Sequence, residues 1–414
     1  MGGITLCTCA CSNELGLRNA GRNGGAFGSK VRTTLESELR QMITKKILIT
    51  GGAGFVGSHL ADALIALRHD VRIFDNLSPQ VHGCGVPSYL SGNAEFVAGD
   101  MRDENAVRKA IEGVDVIFHL AASVGVGQSM YQISDYMGVN TQGTAVLLQA
   151  LLERKARVEK LVVASSMSIY GEGQYLCPNC GDSVPSPRNI GQLARKQWEV
   201  KCPDCGAELT PVPTAESKPL QCTSVYALSK KDQEEICLLY GRTYGLPVVA
   251  LRYFNIYGTR QALSNPYTGV AAIFASRLLH LKAPLVFEDG RQMRDFVSVH
   301  DIVNANLLAM ESEKANGHAV NIGSGRPISI REVASVLSRA MGLQIFCEIT
   351  GKYRAGDIRH CFGKISKARE LLGYEPKVRF EDGVAELVDW LREQTPEDKA
   401  ERMVAELQTF GLTA

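Results

Sequence analysis

The chain has 414 residues, with 45 Lys and Arg against 44 Asp and Glu and a formal net charge of +1. That balance leaves no electrostatic footprint for nucleic acid or an anionic membrane. The hydrophobic fraction of 45% and charged fraction of 21% are those of a globular protein, and no apolar run reaches the roughly 18 residues of a membrane span, which excludes transmembrane and disordered classes.

Residues 1–41 carry Gly at positions 2, 3, 16, 21, 24, 25 and 28 and too little apolar periodicity to order themselves, so a mobile extension is expected. Met42, just ahead of the first strand, is a candidate translation start. Cys7, Cys9 and Cys11 lack the two-residue spacer of a metal knuckle and are read as part of the extension. Twelve cysteines are too sparse for a disulfide framework in a chain this long, and no apolar leader follows Met1, so a reducing, cytoplasmic compartment is expected.

From Lys45, short apolar runs alternate with helical periodicity. Strands are predicted at Ile47–Thr50, Val71–Asp75, Glu95–Gly99, Val114–Leu120, Leu161–Ser165 and Val248–Tyr253, with helices near 55–67, 103–112, 135–154 and 225–244. This rhythm predicts an α/β fold with a Rossmann-type doubly wound parallel sheet over 42–254. Beyond Asn255 the elements shorten, with helices near 270–281, 300–312, 329–341 and 381–393. They suggest a smaller α/β substrate lobe over 255–394 and a tail at 395–414, with a cleft between the lobes.

The turn after the first strand reads Gly51-Gly52-Ala53-Gly54-Phe55-Val56-Gly57. Gly51 permits a tight turn, Gly54 lets backbone amides approach a pyrophosphate, and Gly57 allows close helix packing. Asp75 ends the second strand, 24 residues after Gly51, where a carboxylate accepts from a ribose 2′-hydroxyl and repels a 2′-phosphate. Asn76 and Leu77 follow in place of an arginine, so NAD is the expected cofactor.

Tyr226-Ala-Leu-Ser-Lys230 sets a phenol and an ammonium one helical turn apart. A tyrosine titrates near pH 10, so it works as a base only where positive charge stabilises the phenolate. Ser166 falls at the end of the fifth strand, where open sheets bind ligands, and is a candidate to share a substrate oxygen with Tyr226. Between Ser166 and Tyr226 stand Cys177-Pro-Asn-Cys180-Gly and Cys202-Pro-Asp-Cys205-Gly, 21 residues apart. Two such knuckles converge on a tetrahedral site, so a structural zinc ribbon is expected at 174–220 with these four thiolates as ligands. Cys84, Cys222, Cys237, Cys347 and Cys361 have no partners in sequence and are read as small packing residues.

The ordered set TGGAGFVGSH at 50–59, Gly99-Asp100, HLAA at 119–122, Asn140, SSMSIYG at 165–171, YALSK at 226–230, RYFNIYG at 252–258 and RDFVSVHD at 294–301 resembles the extended short-chain dehydrogenase/reductases, and among them the nucleotide-sugar epimerases and dehydratases. That resemblance implies a catalytic triad of Ser166, Tyr226 and Lys230. It implies cofactor contacts at Phe55, Val56, Asn76, Asp100, Met101, Leu120, Ala121, Ala122 and Asn140. Asn255 resembles a substrate-diphosphate contact, Phe287 a base-stacking position, and Arg294, Arg354 and Asp357 the grip on diphosphate and ribose. Ser129, Gly269 and Val270 fall in further matching segments and are implied to border the substrate.

Met167 and Ser168 stand where the dehydratase branch has an acid pair, which disfavours elimination. The finer resemblance is to the dTDP-L-rhamnose 4-epimerases, implying a dTDP-linked hexose as partner and a homodimer through the helices near 135–154 and 225–244. A UDP-glucose or UDP-uronate 4-epimerase is the alternative. An NAD-responsive regulatory protein is the alternative of another class, disfavoured because a sensor has no need of an oxidising base.

Overall fold

Aliphatic and β-branched runs give a seven-stranded sheet in the computed structural model, which describes residues 44–83, 85–154 and 158–413. The strands are β1 Lys46–Thr50, β2 Asp70–Asp75, β3 Glu95–Ala98, β4 Val116–His119, β5 Lys160–Ser166, β6 Val248–Tyr253 and β7 His318–Ile322. All are parallel, in the order β7-β6-β5-β4-β1-β2-β3. The winding reverses between β1 and β4, and such a reversal opens a crevice at the carboxyl ends of the strands. Residues 1–41 and Cys84 lie outside the described residues.

Alternation along each strand divides the core. Ile47 and Ile49 of β1 pack with helix α1, Phe55–Ala66, while Leu48 between them faces the layer of helix α2, Gly143–Arg154, and helix α3, Val225–Tyr244. Each fully buried leucine or isoleucine contributes about 1.5–3 kcal/mol. The helix expected over 135–154 is interrupted by a π-helical turn at Met137–Gln142.

Six strands match expectation and the seventh does not. His318-Ala-Val-Asn-Ile322 lies inside 255–394 yet forms the sheet edge beside β6, so the smaller lobe is not divided from the sheet by one cut at 254. With only a short apolar run, this edge strand carries too weak a pattern to stand out. The remainder of the lobe is built on Met293–Ser298, paired with Asn255–Tyr257, Pro327–Ser329 and His360–Cys361, over a core that includes Phe274, Phe296, Leu337 and Leu387.

The expected tail at 395–414 carries a helix. Ala400–Thr409 forms a helix, here α4, whose Met403 and Leu407 pack on Tyr267. The insert folds as a three-stranded antiparallel sheet, Gln174–Cys177, Gly181–Ser183 and Thr210–Val212, around Tyr175, Val200 and Leu209. No described helix is long and apolar enough to cross a membrane.

Arg252 on β6 is tied to Glu234 on α3 by bonds of 2.6 and 3.0 Å, with a 2.7 Å bond to the Tyr170 hydroxyl. All three groups are buried. Removing one partner of a buried ion pair strands the other charge, so Arg252→Ala should lower unfolding free energy by roughly 3–5 kcal/mol in a urea titration. A loss below about 1 kcal/mol, the range of a surface pair, would contradict this role.

Candidate active site

A cavity of about 840 Å³ opens at the carboxyl ends of β1, β2, β4 and β5, with the smaller lobe as its other wall. Its floor is the glycine-rich turn. Gly51 has φ +68°, and a Cβ there would stand 2.8 Å from the backbone of Ala121. A Cβ at Gly57 would stand 2.4 Å from the Gly51 carbonyl oxygen. α1 begins at Phe55 behind Gly54, which has no side chain to cap it. Its first amides are therefore left for an anion, and Gly54, Phe55, Val56 and Gly57 all border the cavity.

The Asp75 carboxylate accepts from Ala53 N at 3.1 Å and Leu77 N at 2.9 Å, which locks the turn to the end of β2 while the group still faces the cavity. Asn76, Asp100, Met101, Leu120, Ala121 and Ala122 line the same end. Asp100 accepts from Arg102 at 2.8 and 2.9 Å and from Asn76 at 3.0 Å, and the Arg102 bonds above all hold its carboxyl well below the usual carboxylate range. These features fit a dinucleotide: a cradle that a Cβ would fill, open helix amides for the pyrophosphate and a carboxylate for a ribose diol.

Asn140 does not join them. It is fully buried in the π-helical turn, accepting from Ser123 N at 2.8 Å and donating to Ser123 O and to Ser229 Oγ at 2.9 Å. It fastens the loop after β4 to α3 and does not border the cavity.

Ser224 caps α3, accepting from Ala227 N at 3.1 Å, and the first turns of this helix bring Tyr226 and Lys230 onto the cavity wall. Ser166 ends β5, the strand on which this helix packs, and borders the same wall. Its hydroxyl accepts from Ser168 Oγ at 2.9 Å and borders the cavity together with Tyr226. Burial raises the Tyr226 phenol, and the Ser166 hydroxyl pulls partly against that. Burial brings Lys230 down to about 7, against the nearby Cys237 and Glu234.

The Lys230 ammonium donates to Gln233 Oε1. Gln233 Nε2 in turn faces His119 Nε2 at 2.8 Å, and His119 Nδ1 meets Thr50 Oγ at 2.7 Å. Since the amide carbonyl is taken by Lys230, its NH2 donates to His119, which leaves Nδ1–H to donate to Thr50. Burial and the Lys230 charge hold His119 near 3, so it stays neutral.

The opposite wall holds cations. The Arg354 guanidinium lies over the Phe287 ring, 4.8 Å from its centroid, and donates to Asp357 Oδ2 at 2.7 Å. Arg294 reaches Asp357 Oδ1 at 3.4 Å and donates to the carbonyls of Ile358 at 2.5 Å and Arg359 at 3.1 Å. Burial pushes Asp357 up, but Arg354 and Arg294 overcome it and hold the carboxyl low. Asn255 follows β6 with its Oδ1 buried and without a hydrogen-bond partner, and Gly269 and Val270 open a helix on the rim.

Ser129, by contrast, is fully buried and donates to Val126 O at 2.7 Å within its own turn. It does not line the cavity. Its neighbour Gln128 does, bonded to Gln80, which also donates to Asn265 at 3.0 Å. This amide cluster, and Met403 and Leu407 of α4, escaped the sequence because residues so far apart share no motif.

In the insert, the thiol sulfurs of Cys177, Cys180, Cys202 and Cys205 all lie within 4.8 Å of one another. Among the other described cysteines, Cys237 and Cys361 are buried, and Cys222 and Cys347 half-buried.

Two family models match: the NAD dependent epimerase/dehydratase family over residues 47–190 and GDP-mannose 4,6 dehydratase over 207–387. The chain belongs to the NAD-dependent epimerase/dehydratase family, within the extended short-chain dehydrogenase/reductases of the nucleotide-sugar epimerase type. A dTDP-L-rhamnose 4-epimerase of Burkholderia thailandensis is 33% identical, the match covering 84% of this chain and 96% of that protein. A putative UDP-glucose 4-epimerase of Methanocaldococcus jannaschii is 34% identical, covering 84% and 98%. The structure of a Thermus thermophilus UDP-glucose 4-epimerase in complex with NAD is similar at a TM-score of 0.68 and 30% identity, over 84% of this chain and 100% of that one. One from Thermotoga maritima, with UDP-glucose, is similar at 0.69 and 31%, over 84% and 99%.

Because Gly51 tolerates no Cβ beside Ala121, Gly51→Ala should yield folded protein that releases no NAD on denaturation. Stoichiometric NAD in the extract would contradict the cradle.

Proposed function

We propose that this enzyme inverts C4 of a nucleotide-diphosphate hexose, with dTDP-L-rhamnose as substrate, by transient oxidation to a 4-keto sugar. The observation that carries this reading is the meeting of Ser166, Tyr226 and Lys230 on one cavity wall, facing the Arg294, Arg354 and Asp357 wall. The glycine turn, Asp75 and the residues around Asp100 would hold NAD, which when bound would supply a reversible acceptor for the C4 hydrogen as hydride.

Tyr226, as phenolate, removes the 4-hydroxyl proton as the C4–H bond breaks, and gives it back to the oxygen when the bond re-forms. Ser166, at the end of β5 on the same cavity lining, steadies the same oxygen. Lys230 keeps the phenolate low in energy by its charge, and Gln233 holds the ammonium in place. Arg294 and Arg354 grip the diphosphate, Asp357 the nucleotide ribose, and Phe287 stacks on the base. Strong anchoring at that end leaves the hexose free to turn beside Val124 and Met167 and present its other face.

Met167 and Ser168 supply no acid pair for elimination, which supports epimerisation over dehydration. The thymidine rhamnose substrate is supported by the Burkholderia relative and the 6-deoxy sugar by the apolar Met403 and Leu407 on the cavity wall. Four thiolates saturate a tetrahedral ion, so the zinc is structural and leaves no open position for water. A homodimer through α2 and α3 is supported by Leu152, Leu228, Leu239 and Tyr244, which stand exposed there.

NMR of products from a panel of dTDP-L-rhamnose, UDP-glucose and UDP-glucuronate, without added reductant, should show C4 inversion of the first. Inversion of only a UDP-sugar would shift the substrate to the alternative. Tyr226→Phe should lose turnover by about three orders of magnitude or more while retaining NAD, and full activity in that variant would overturn the base assignment. Metal analysis of anaerobically prepared protein should find one zinc per chain, and none in stoichiometric amount would remove the zinc.

A further inference from the structure

The four-cysteine insert does more in this molecule than fold itself. Two of its side chains reach out of it into the back of the cationic wall. Arg188 donates to the Asp357 carbonyl at 3.0 Å, pairs with Glu288 at 2.9 Å and approaches Glu172 at 3.4 Å. Glu199 accepts from Arg359 at 2.5 and 3.1 Å through one oxygen and meets His360 Nε2 at 3.0 Å through the other.

Several of the groups they hold adjoin the nucleotide wall. The carbonyls of Ile358 and Arg359 are those to which Arg294 donates. Asp357 carries the carboxylate shared by Arg294 and Arg354. Glu288, which pairs with both Arg188 and Arg359 at 2.9 Å, follows Phe287 directly and sits at φ +54°. The Arg359 side chain is fully buried, so its charge depends on Glu199, Glu288 and Asp289.

Both residues are tied to the body of the insert. Arg188 Nη1 donates to Trp198 O at 3.1 Å, and Val200, beside Glu199, packs with Cys177 and Cys202 and accepts from Leu209 N at 2.9 Å.

We propose that the metal-bound insert is a brace for the nucleotide-diphosphate wall: metal at Cys177, Cys180, Cys202 and Cys205 fixes Arg188 and Glu199, and these position Arg294, Arg354, Asp357 and Phe287. The proposal rests on the nucleotide-sugar reading above. Arg188 and Glu199 are positioning residues, acting through Asp357 and Arg359 and touching no substrate. Metal occupancy then sets affinity for the nucleotide sugar and leaves the dinucleotide end, built on β1, β2 and β4, unaffected. Loss of the metal, or oxidation of the thiols, would lower substrate affinity without emptying the NAD site.

The test uses the full chain and calorimetric titration with dTDP and UDP, alongside NAD content and a KM-against-kcat split on the sugar that turns over. Glu199→Ala and Arg188→Ala should weaken nucleotide-diphosphate binding and raise KM by roughly tenfold or more, within the usual range of coupling between sites. NAD content should stay stoichiometric and kcat nearly unchanged. Glu199→Gln, which keeps an acceptor for Arg359, should lose less. Chelation of metal from the unaltered protein should weaken binding to a similar degree, and chelation of Glu199→Ala should add little, because the two losses act through one element. Unchanged nucleotide affinity in both alanine variants and after chelation would overturn the brace, as would parallel loss of NAD. If the unaltered protein bound neither diphosphate, the nucleotide-sugar reading itself would fall.

Discussion

A buried ammonium beside a buried phenol is the constraint around which the molecule is arranged. Burial opposes both charged forms, lifting Tyr226 and bringing Lys230 down to about 7. The surrounding structure answers with fixed dipoles: Gln233 for the ammonium, neutral His119 to orient Gln233, Thr50 at the end of β1 to orient His119. The same strand that starts the glycine turn is thus tied to α3, which carries Tyr226 and Lys230. Asn140 adds a second tie, joining the loop after β4 to Ser229. In the proposed reaction, a positive charge next to Tyr226 would favour its phenolate and so couple base to cofactor.

The other half of the site works by the opposite principle. Its charges are many, mutually paired and held in a network with few free members, so that two guanidinium groups face the cavity at fixed positions. Paired buried charges give geometry more than stability. On the proposed reading, that is what an anchor for a diphosphate would require while the hexose turned. The insert, lying between β5 and α3 in the chain, places its Arg188 and Glu199 behind this wall, and α4 adds Met403 and Leu407 to the cavity lining.

Much of this was legible in the residues. Short apolar runs marked six strands, and the glycine turn, Asp75, Tyr226 and Lys230 fell where local chemistry demanded. What stayed hidden was non-local. β7 carries too short an apolar run to separate it from the smaller lobe, and the 395–414 segment shows its role only once α4 meets Tyr267. Asn140 and Ser129 sat in matching motifs, yet their side chains turn inward to partners beneath the surface, and motif membership cannot tell a cavity contact from the support beneath it. Gln233 lay in plain view on α3, three residues past Lys230, but its partner His119 is 114 residues away.

Transfer of hydrogen from the sugar and back within one closed site is the central claim, and its isotope signature is specific. dTDP-L-rhamnose carrying deuterium at C4 should give epimerised product that retains the label at C4 when followed by NMR in ordinary water. Exchange of that label for solvent hydrogen would contradict a captive hydride and require removal of a carbon-bound proton instead.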